Sequence, residues 1–318
     1  MPTIGDTDLD VFPLCLGGNV FGWTVEERQA FALLDAYAAA GGNFLDTADS
    51  YTRWMEGSSG GESETIIGRW MAARGNRDRI VVTTKVGKMP GRLGLAPANI
   101  RAACDDSLRR LGTDHIDLYY AHEDDPDTPI EQTLEAFGGL IAAGKVRHIG
   151  ASNFTAPRLA QALATAVAAG VPRYVALQPH HNLVEREEYR GELAALCVRE
   201  GLGVMPYFAL ANGFLTGKYR PGAEVDSERA EDAVPFLDDD GARVLAALDE
   251  IAAAHTTSVA AVALAWLAAE PAVVAPIASA RTPEQLADLL PVAGLMLTAA
   301  ELERLTEAHP GARVEEHA

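Results

Sequence analysis

The chain has 318 residues, and its 26 basic side chains against 45 acidic ones give a net charge of −19. This charge argues against nucleic acid or an anionic membrane surface as a partner, because both repel an acidic protein. An anionic cofactor must therefore be bound by local groups that act against the overall field.

Three cysteines, Cys15, Cys104 and Cys197, lie in apolar strand or helix contexts. An odd number of thiols in such contexts predicts buried, reduced cysteines and a reducing compartment. The first residues lack the basic segment of a secretory signal, and charged residues interrupt the alanine-rich helices before any apolar span reaches about 18 residues. We therefore expect a cytoplasmic protein without a membrane partner.

Short apolar or β-branched runs alternate with helix-like segments along the whole chain. Eight runs can be recognised, at residues 14–17, 43–45, 80–84, 116–120, 146–150, 174–177, 203–206 and 272–275. Alternating strands and helices predict a parallel α/β sheet, and eight units are the number that closes a (β/α)8 TIM barrel. With no linker of Pro, Ser or Gly to divide it, residues 1–318 are predicted to form one barrel domain. An open doubly wound sheet is the alternative.

Several helix boundaries are marked in the sequence. Pro97 and Gly112 bracket a predicted helix. Its apolar face consists of Ile100, Cys104, Leu108 and Leu111. The segments 128–131 and 298–301 have the spacing of a capping box, Thr-x-x-Glu. Both are therefore predicted to begin helices.

Two other helical features bear on the architecture. Phe31, Leu34 and Ala38 are predicted to form the buried face of the first helix. Helical runs near 242–255 and 258–270 follow each other without an intervening strand, which predicts an extra helix.

A polar residue stands at the exit of six successive predicted strands. These residues are Asp46, Lys85, His122, Asn153, Gln178 and Tyr207. Since all strands of a parallel barrel end on one face, residues at these ends converge although they are distant in sequence. The pattern predicts an active site on that face.

Three of these residues, Asp46, Lys85 and His122, together with Tyr51 suggest proton transfer to a carbonyl oxygen. Tyr51 can act as a general acid if the Lys85 ammonium lowers its pKa, while Asp46 keeps that ammonium charged and oriented. His122, at the fourth strand end, can donate a hydrogen bond to the same oxygen. Taken singly, each residue has an ordinary structural explanation, such as capping a turn or packing in a loop. Their joint placement predicts a reductase.

Two other function classes remain open at this point. The acidic run that follows His122 permits a metal-dependent barrel hydrolase, although cysteine and histidine spacings show no zinc pattern and no metal site is predicted. A non-catalytic, cofactor-binding regulator on the same fold is the other alternative.

The chain resembles the aldo-keto reductase family nearly from end to end. The matching segments are 41–48 with Tyr51, 61–64, 84–85, 117–122, 150–154, Gln178 with Asn182, 206–207 and 213–219. The resemblance implies an NAD(P)H-dependent reductase of aldehydes and ketones on a (β/α)8 barrel. It further implies that Tyr51 is the general acid, that Lys85 and Asp46 tune it, and that His122 orients the carbonyl.

The resemblance also implies a set of cofactor residues. Ser152, Asn153 and Gln178 match residues that hydrogen-bond the nicotinamide carboxamide, and Tyr207 matches the aromatic residue that stacks on its ring. The resemblance also implies that a long loop after the seventh predicted strand, the covering loop, lies over the cofactor. The remaining cofactor residues lie on the covering loop and after the eighth strand: Leu210, Gly213, Lys218, Ser279, Arg281 and Gln285. Arg281, beside a helix that starts near Pro283, is the expected contact to the 2′-phosphate. The cofactor is therefore expected to be NADP(H), with NAD(H) as the second choice.

The chain departs from the family pattern at three places. Phe208-Ala209 follows Tyr207 where many relatives have Ser-Pro, and His181 stands where many have Tyr. Near the eighth strand, Ala278 and Asp288-Leu289 replace a Lys and an Asn, which leaves the adenine end least like the family.

Two tryptophans are expected to border a small-molecule carbonyl substrate. Trp23 follows the first strand end, and Trp54 lies three residues beyond Tyr51. Apolar walls favour aromatic or hydrophobic aldehydes and ketones over free sugars, whose hydroxyls are costly to desolvate. The sequence carries no signal of oligomeric state.

Overall fold

The computed structural model describes residues 1–220, 222, 225 and 228–309. Ten strands are present in this part of the chain: Cys15–Gly17 (β1), Phe44–Asp46 (β2), Val81–Val86 (β3), Lys88–Met89 (β4), Arg92–Leu93 (β5), Ile116–Ala121 (β6), Val146–Ser152 (β7), Ala176–Gln178 (β8), Gly203–Val204 (β9) and Ile277–Ala278 (β10). Eight of them form one parallel sheet in the order β10-β1-β2-β3-β6-β7-β8-β9, and β4 and β5 form a separate antiparallel hairpin.

The sheet curls until its two edges meet. A parallel bridge joins Val204 to Val273, and the Ile277 N–H donates to the Pro206 carbonyl at 2.9 Å. These contacts close the eight strands into the predicted (β/α)8 barrel. Closure brings the carboxyl ends of all eight strands to one face.

Eleven α-helices lie in the described part of the chain. They are Glu27–Ala39 (α1), Glu62–Arg74 (α2), Pro97–Leu111 (α3), Ile130–Ala142 (α4), Ala156–Ala169 (α5), Glu192–Glu200 (α6), Ala230–Ala233 (α7), Asp239–His255 (α8), Val259–Ala268 (α9), Pro283–Leu289 (α10) and Ala299–Ala308 (α11). Helices α8 and α9 follow one another without a strand, which confirms the predicted extra helix.

The membrane-spanning potential of these helices is low. In the described residues no single helix has both the length and the apolar character to cross a bilayer. Only α8 and α9 together reach those values, and they meet at a bend of 98°.

Two hydrophobic layers hold the barrel. The inner layer fills the barrel interior and includes Phe44, Val81, Leu118, Tyr120, Met205 and Ile277. The outer layer lies between the sheet and its helices, where the predicted face of α3 is buried at all four positions. In α1 the buried face is Ala30, Leu33, Leu34 and Tyr37. The prediction for α1 was therefore right for Leu34, whereas Phe31 and Ala38 are only partly buried at the edge of the face.

An N-terminal hairpin covers the end of the barrel opposite the strand exits. Thr3 and Asp10 form an antiparallel bridge. Gly5 has φ +51°, and a Cβ there would lie 2.7 Å from the Val175 carbonyl oxygen, just before β8. Ile4 and Leu9 are buried together with the inner barrel layer. The hairpin therefore seals the barrel floor.

Two local predictions were wrong. The eighth paired strand is Ile277–Ala278 instead of 272–275, where only Val273 forms a bridge. Pro276 separates the two segments, and proline has no N–H to continue a ladder. The capping box predicted at Thr128 is also absent, because its hydroxyl bonds Asp125 at 2.8 Å and α4 begins at Ile130 without a side-chain cap. The box at Thr298 is confirmed.

Candidate active site

The barrel brings the predicted polar residues to the same face. Asp46 is the last residue of β2 and pairs in register with Thr83 of β3. Gln178 is the last residue of β8 and pairs with Ser152 at the end of β7. His122 directly follows β6. The predicted convergence of strand-end side chains is therefore present.

Asp46, Tyr51 and Lys85 form a closed triangle of contacts. Lys85 Nζ donates to Asp46 Oδ2 at 2.6 Å and to the Tyr51 hydroxyl at 2.9 Å. The Tyr51 hydroxyl donates to Asp46 Oδ2 at 3.1 Å. Lys85 is fully buried and also donates to the Thr47 carbonyl at 2.7 Å. With three oxygen acceptors around it, the ammonium can remain charged in the barrel interior.

The Asp46 carboxylate is held from both sides. Its second oxygen accepts hydrogen bonds from the Thr83 hydroxyl at 2.7 Å and from the Gln178 amide at 2.9 Å. These bonds fix the carboxylate in the position from which it contacts Lys85.

The pKa of Tyr51 differs from the sequence-based expectation. Burial raises this pKa well above its usual value, and the nearby Asp46 carboxylate raises it further. Lys85 cannot lower it as expected, because Asp46 balances the charge of the ammonium at 2.6 Å. The phenol is therefore held protonated at neutral pH.

His122 is held as a neutral imidazole. Burial lowers its pKa well below the usual value, and the positive charges of Lys85, Lys88 and Arg53 act in the same direction. Its Nδ1 lies 3.5 Å from the Ser50 hydroxyl. The ring packs edge-on against Tyr51, with 6.3 Å between the ring centroids.

A second network joins the ends of β7, β8 and β9. Asn153, with φ 57°, donates to the His122 carbonyl at 2.8 Å and accepts from the Tyr207 hydroxyl at 2.7 Å. Ser152 donates to the Gln178 carbonyl at 2.8 Å. This network fixes Tyr207 relative to the Asp46, Tyr51 and Lys85 triangle.

The reverse side of Tyr207 contacts His180, which sequence reasoning did not select. The two rings are stacked, with centroids 5.3 Å apart and planes inclined by 17°. His180 bonds Glu185 at 3.0 Å, and the same carboxylate accepts from Asn182 at 2.8 Å. Asn182 also donates to the Phe208 carbonyl at 3.0 Å. The Tyr207–Phe208 segment is therefore supported from behind.

These groups surround a cavity of about 710 Å³. Every site residue named from the sequence lines it, except Lys85, which lies behind Tyr51 and Asp46. Cofactor candidates therefore share one cavity with Tyr51, His122, Trp23 and Trp54.

The covering loop contributes one wall of this cavity. Its 3₁₀ segment Ala211–Thr216 contains three residues with positive φ, Ala211 at 44°, Asn212 at 54° and Gly213 at 95°. A Cβ at Gly213 would lie 3.2 Å from Lys218 Cε, so the glycine leaves room for the lysine side chain. Lys218 packs over Tyr219 at 4.7 Å and has no acidic partner within salt-bridge distance in the described residues.

Ser279, Arg281 and Gln285 line the far end of the cavity. Ser279 donates to Asn19 at 2.6 Å, and the Arg281 N–H donates to the Gln285 side chain at 2.8 Å. Helix α10 begins at Pro283, as predicted. No carboxylate in the described ranges pairs with the Arg281 guanidinium, so this cation can bind an anionic ligand.

The opposite end of the cavity is aromatic. Trp23 and Trp54 meet edge to face with centroids 5.6 Å apart, and Trp54 lies 6.4 Å from the Tyr51 ring. The Arg229 guanidinium lies over Trp23 at 5.6 Å. The indoles therefore border the space beside the Tyr51 hydroxyl.

Sequence reasoning missed several residues that line the cavity. Asn19 follows β1 and is the hydrogen-bond partner of Ser279, so its strand-end position was an available signal. Arg53, Lys88 and Arg229 also line the cavity. Arg53 and Arg229 lie in irregular segments and Lys88 lies in the short β4–β5 hairpin, so neither a helical period nor the end of a barrel strand marks their side chains as facing inward.

Comparison with known proteins identifies the family. The model of the Aldo/keto reductase family matches residues 13–310. The chain belongs to the aldo/keto reductase family. This match confirms the resemblance drawn from the strand-end motifs, and it makes this aldo/keto reductase a carbonyl-reducing oxidoreductase.

Individual relatives align with this aldo/keto reductase over most of their length. It is 35% identical to "Uncharacterized oxidoreductase YrpG" of Bacillus subtilis (strain 168), with 97% of this chain and 95% of the relative covered. It is 34% identical to "Norsolorinic acid reductase stcV" of Emericella nidulans, with 94% and 79% covered. It is 33% identical to "Protein tas" of Escherichia coli (strain K12), with 89% and 90% covered.

The comparisons lend no support to the two alternative functions. Within the ranges that the structure describes, no group of three His, Cys, Asp or Glu side chains is placed to hold a metal ion. The acidic residues after His122 instead form ion pairs, Glu123 with Lys88 at 3.0 Å and Asp124 with Arg158 at 2.6 Å.

Proposed function

We propose that this aldo/keto reductase reduces aldehydes and ketones to alcohols with NADPH, with Tyr51 as the general acid. The observation that carries the proposal is the triangle in which Lys85 Nζ lies 2.9 Å from the Tyr51 hydroxyl and 2.6 Å from Asp46. The hydroxyl borders a cavity large enough for a cofactor and a small substrate. We also propose that residues 1–318 act as one cytoplasmic barrel domain without nucleic-acid or membrane partners.

The residues of the cavity fit a nicotinamide nucleotide. Ser152, Asn153 and Gln178 provide hydroxyl and amide groups for a carboxamide, and Tyr207 offers a flat ring whose reverse side is supported by His180. Leu210 and Gly213 would lie along the pyrophosphate. Lys218 and Arg281 would balance its phosphate charges, with Ser279 and Gln285 beside them. Arg281, whose guanidinium has no carboxylate partner among the described residues, favours NADPH, with NADH as the second candidate.

The chemistry follows from the contacts of Tyr51. A reduced nicotinamide, when bound in this cavity, would supply a hydride to the carbonyl carbon. Tyr51 gives its proton to the carbonyl oxygen as that oxygen gains negative charge, so C=O becomes C–H and O–H. The Lys85 ammonium stabilises the resulting phenolate until solvent returns a proton.

His122 is proposed to orient the carbonyl. When Ser50 donates to Nδ1, the proton of the neutral ring resides on Nε2, which can donate to the carbonyl oxygen. A neutral imidazole keeps this donor without competing with Tyr51 as the acid. Trp23 and Trp54 would contact the remainder of the substrate and favour hydrophobic or aromatic carbonyl compounds.

The decisive experiment follows oxidation of NADPH and NADH with a panel of aldehydes, ketones and sugars. Tyr51→Phe keeps the packing of the ring but removes the proton. We expect it to bind NADPH as the wild type does and to lose turnover by about 10²–10⁴-fold, the range of general acid catalysis.

Arg101→Gln, at an exposed site on α3, is the matched control and should retain full activity. Near-normal turnover of Tyr51→Phe with a good substrate would remove Tyr51 from the mechanism. NADPH binding without turnover of any carbonyl by the wild type would favour the regulator instead.

A further inference from the structure

The end of the cavity beside Tyr51 carries positive charge as well as aromatic surface. Arg53 and Lys88 line it together with Trp23 and Trp54, and both cations act on the pKa of His122. Such a cluster is unexpected in a chain whose net charge is −19. A charge opposite to that of the whole protein indicates a local requirement.

The two cations at this end, Lys88 and Arg53, differ in whether an acidic side chain pairs with them. Lys88 pairs with Glu123 at 3.0 Å. Asp46, one of the carboxylates that line the cavity, is paired with Lys85 at 2.6 Å. Among the described residues, no acidic side chain lies within salt-bridge distance of the Arg53 guanidinium. Of Arg53 and Lys88, Arg53 is therefore the cation that is more available to a ligand at this end of the cavity.

The backbone that presents Arg53 is strained. Thr52, between Tyr51 and Arg53, has φ 74°, which is unfavourable for a β-branched residue. Its hydroxyl donates to Glu62, whose other carboxylate oxygen accepts from Ser58 at 2.7 Å. Strain of this kind persists where surrounding contacts enforce it, and it concentrates at functional sites. Here it sets the direction of Arg53 relative to Tyr51.

We propose that the substrate is an aromatic carbonyl compound that bears a carboxylate, with the carboxylate paired to Arg53. The inference rests on the proposed function, in which the carbonyl oxygen lies at Tyr51 and His122. The aromatic part then contacts the Trp23–Trp54 pair, and the carboxylate lies at the open rim where Arg53 is exposed. Lys88 adds to the positive electrostatic potential at this end, but its ion pair with Glu123 makes it a weaker partner for the substrate carboxylate than Arg53.

The test compares the three isomeric carboxybenzaldehydes with their methyl esters, which keep the shape and lose the charge. For at least one isomer, we expect the acid to have a kcat/KM about three- to tenfold above that of its ester, since the ion pair is partly solvated. Arg53→Gln should abolish this preference, because KM should rise more for the acid than for the ester. Arg53→Lys should restore part of it.

An ionic-strength series and a control variant test whether the preference for the acid is electrostatic and specific to Arg53. Raising the ionic strength should reduce the preference in the wild type, because exposed charge pairs are screened. Arg101→Gln removes the same charge elsewhere and should leave the preference unchanged. Esters preferred for all three isomers, or equal losses for acid and ester in Arg53→Gln, would overturn the assignment. Absence of NADPH oxidation with every aldehyde, acids and esters alike, would instead overturn the proposed function and this inference with it.

Discussion

A raised pKa does not disable Tyr51 as an acid. The phenol is protonated at neutral pH, and when the carbonyl carbon accepts hydride its oxygen becomes an alkoxide, which is more basic than a phenolate. Proton transfer is therefore favourable once hydride transfer has begun. Lys85 contributes by orienting the hydroxyl at 2.9 Å and by stabilising the phenolate after the proton has left. Proton transfer from Tyr51 thus depends on the geometry of the Asp46, Tyr51 and Lys85 triangle as much as on the acidity of the tyrosine.

At the far end of the cavity, Arg281 determines the predicted choice of nucleotide. A guanidinium–phosphate contact contributes roughly 1.5–3 kcal/mol, or about one to two decades in affinity. Arg281→Ala should therefore weaken the binding of NADPH much more than the binding of NADH, as measured by fluorescence titration. Equal losses for both nucleotides would mean that Arg281 does not contact the 2′-phosphate.

His181 is predicted to limit stability in acid. The ring is fully buried against Tyr189 and Trp266, and neither of its nitrogens has a partner among the described residues. Burial, with a smaller contribution from Arg190, lowers its pKa to about 3. As pH falls below the usual 6.5, the unfolded chain binds a proton that the folded chain does not. Stability then falls by up to about 1.4 kcal/mol per pH unit until the pH approaches 3.

His181→Phe keeps an aromatic ring and removes this titration. Urea unfolding should show that the free energy of unfolding of the variant, relative to that of the wild type, is higher at pH 5 than at pH 7.5. Any overpacking by the larger ring changes the free energy of unfolding by the same amount at both pH values. A stability difference between variant and wild type that is the same at both pH values would contradict the prediction.

At the scale of elements, predictions succeeded where one local rule controlled the outcome. The strand-end residues converge because parallel strands share one direction, and the box at Thr298 formed because Glu301 lies beside it on an exposed turn. The same motif did not form at Thr128, because the Thr128 hydroxyl donates a hydrogen bond to Asp125 instead. Tertiary competition of this kind is not visible in a four-residue pattern.

Loop residues were predicted least well. Arg53 and Arg229 line the cavity from irregular segments, where neither a strand end nor a helical period indicates direction. The stacking of His180 on Tyr207 depends on a bridge between segments 27 residues apart in sequence. Such contacts arise only once the barrel has closed.

At the scale of the whole molecule, the proposed active site and the N-terminal hairpin lie at opposite ends of the barrel. The proposed catalytic residues lie at the carboxyl ends of the strands, whereas the N-terminal hairpin seals the opposite end. There Asp8 pairs with Arg147 at 2.6 Å and with His148 at 3.0 Å, both near the start of β7. Residues at this end should therefore affect stability and leave the reaction unchanged.

Leu9→Ala tests this separation. Leu9 is 1% exposed in the inner barrel layer, so its truncation should cost about 2–5 kcal/mol of unfolding free energy, a large share of the roughly 5–15 kcal/mol typical of a folded protein. Urea unfolding should show this loss, while NADPH affinity and kcat of the folded enzyme at low temperature stay at wild-type values. Met296→Ala, at a side chain that is 83% exposed, should change stability by less than about 0.5 kcal/mol. A fall in kcat of folded Leu9→Ala would show that the floor and the active site are coupled through the barrel interior.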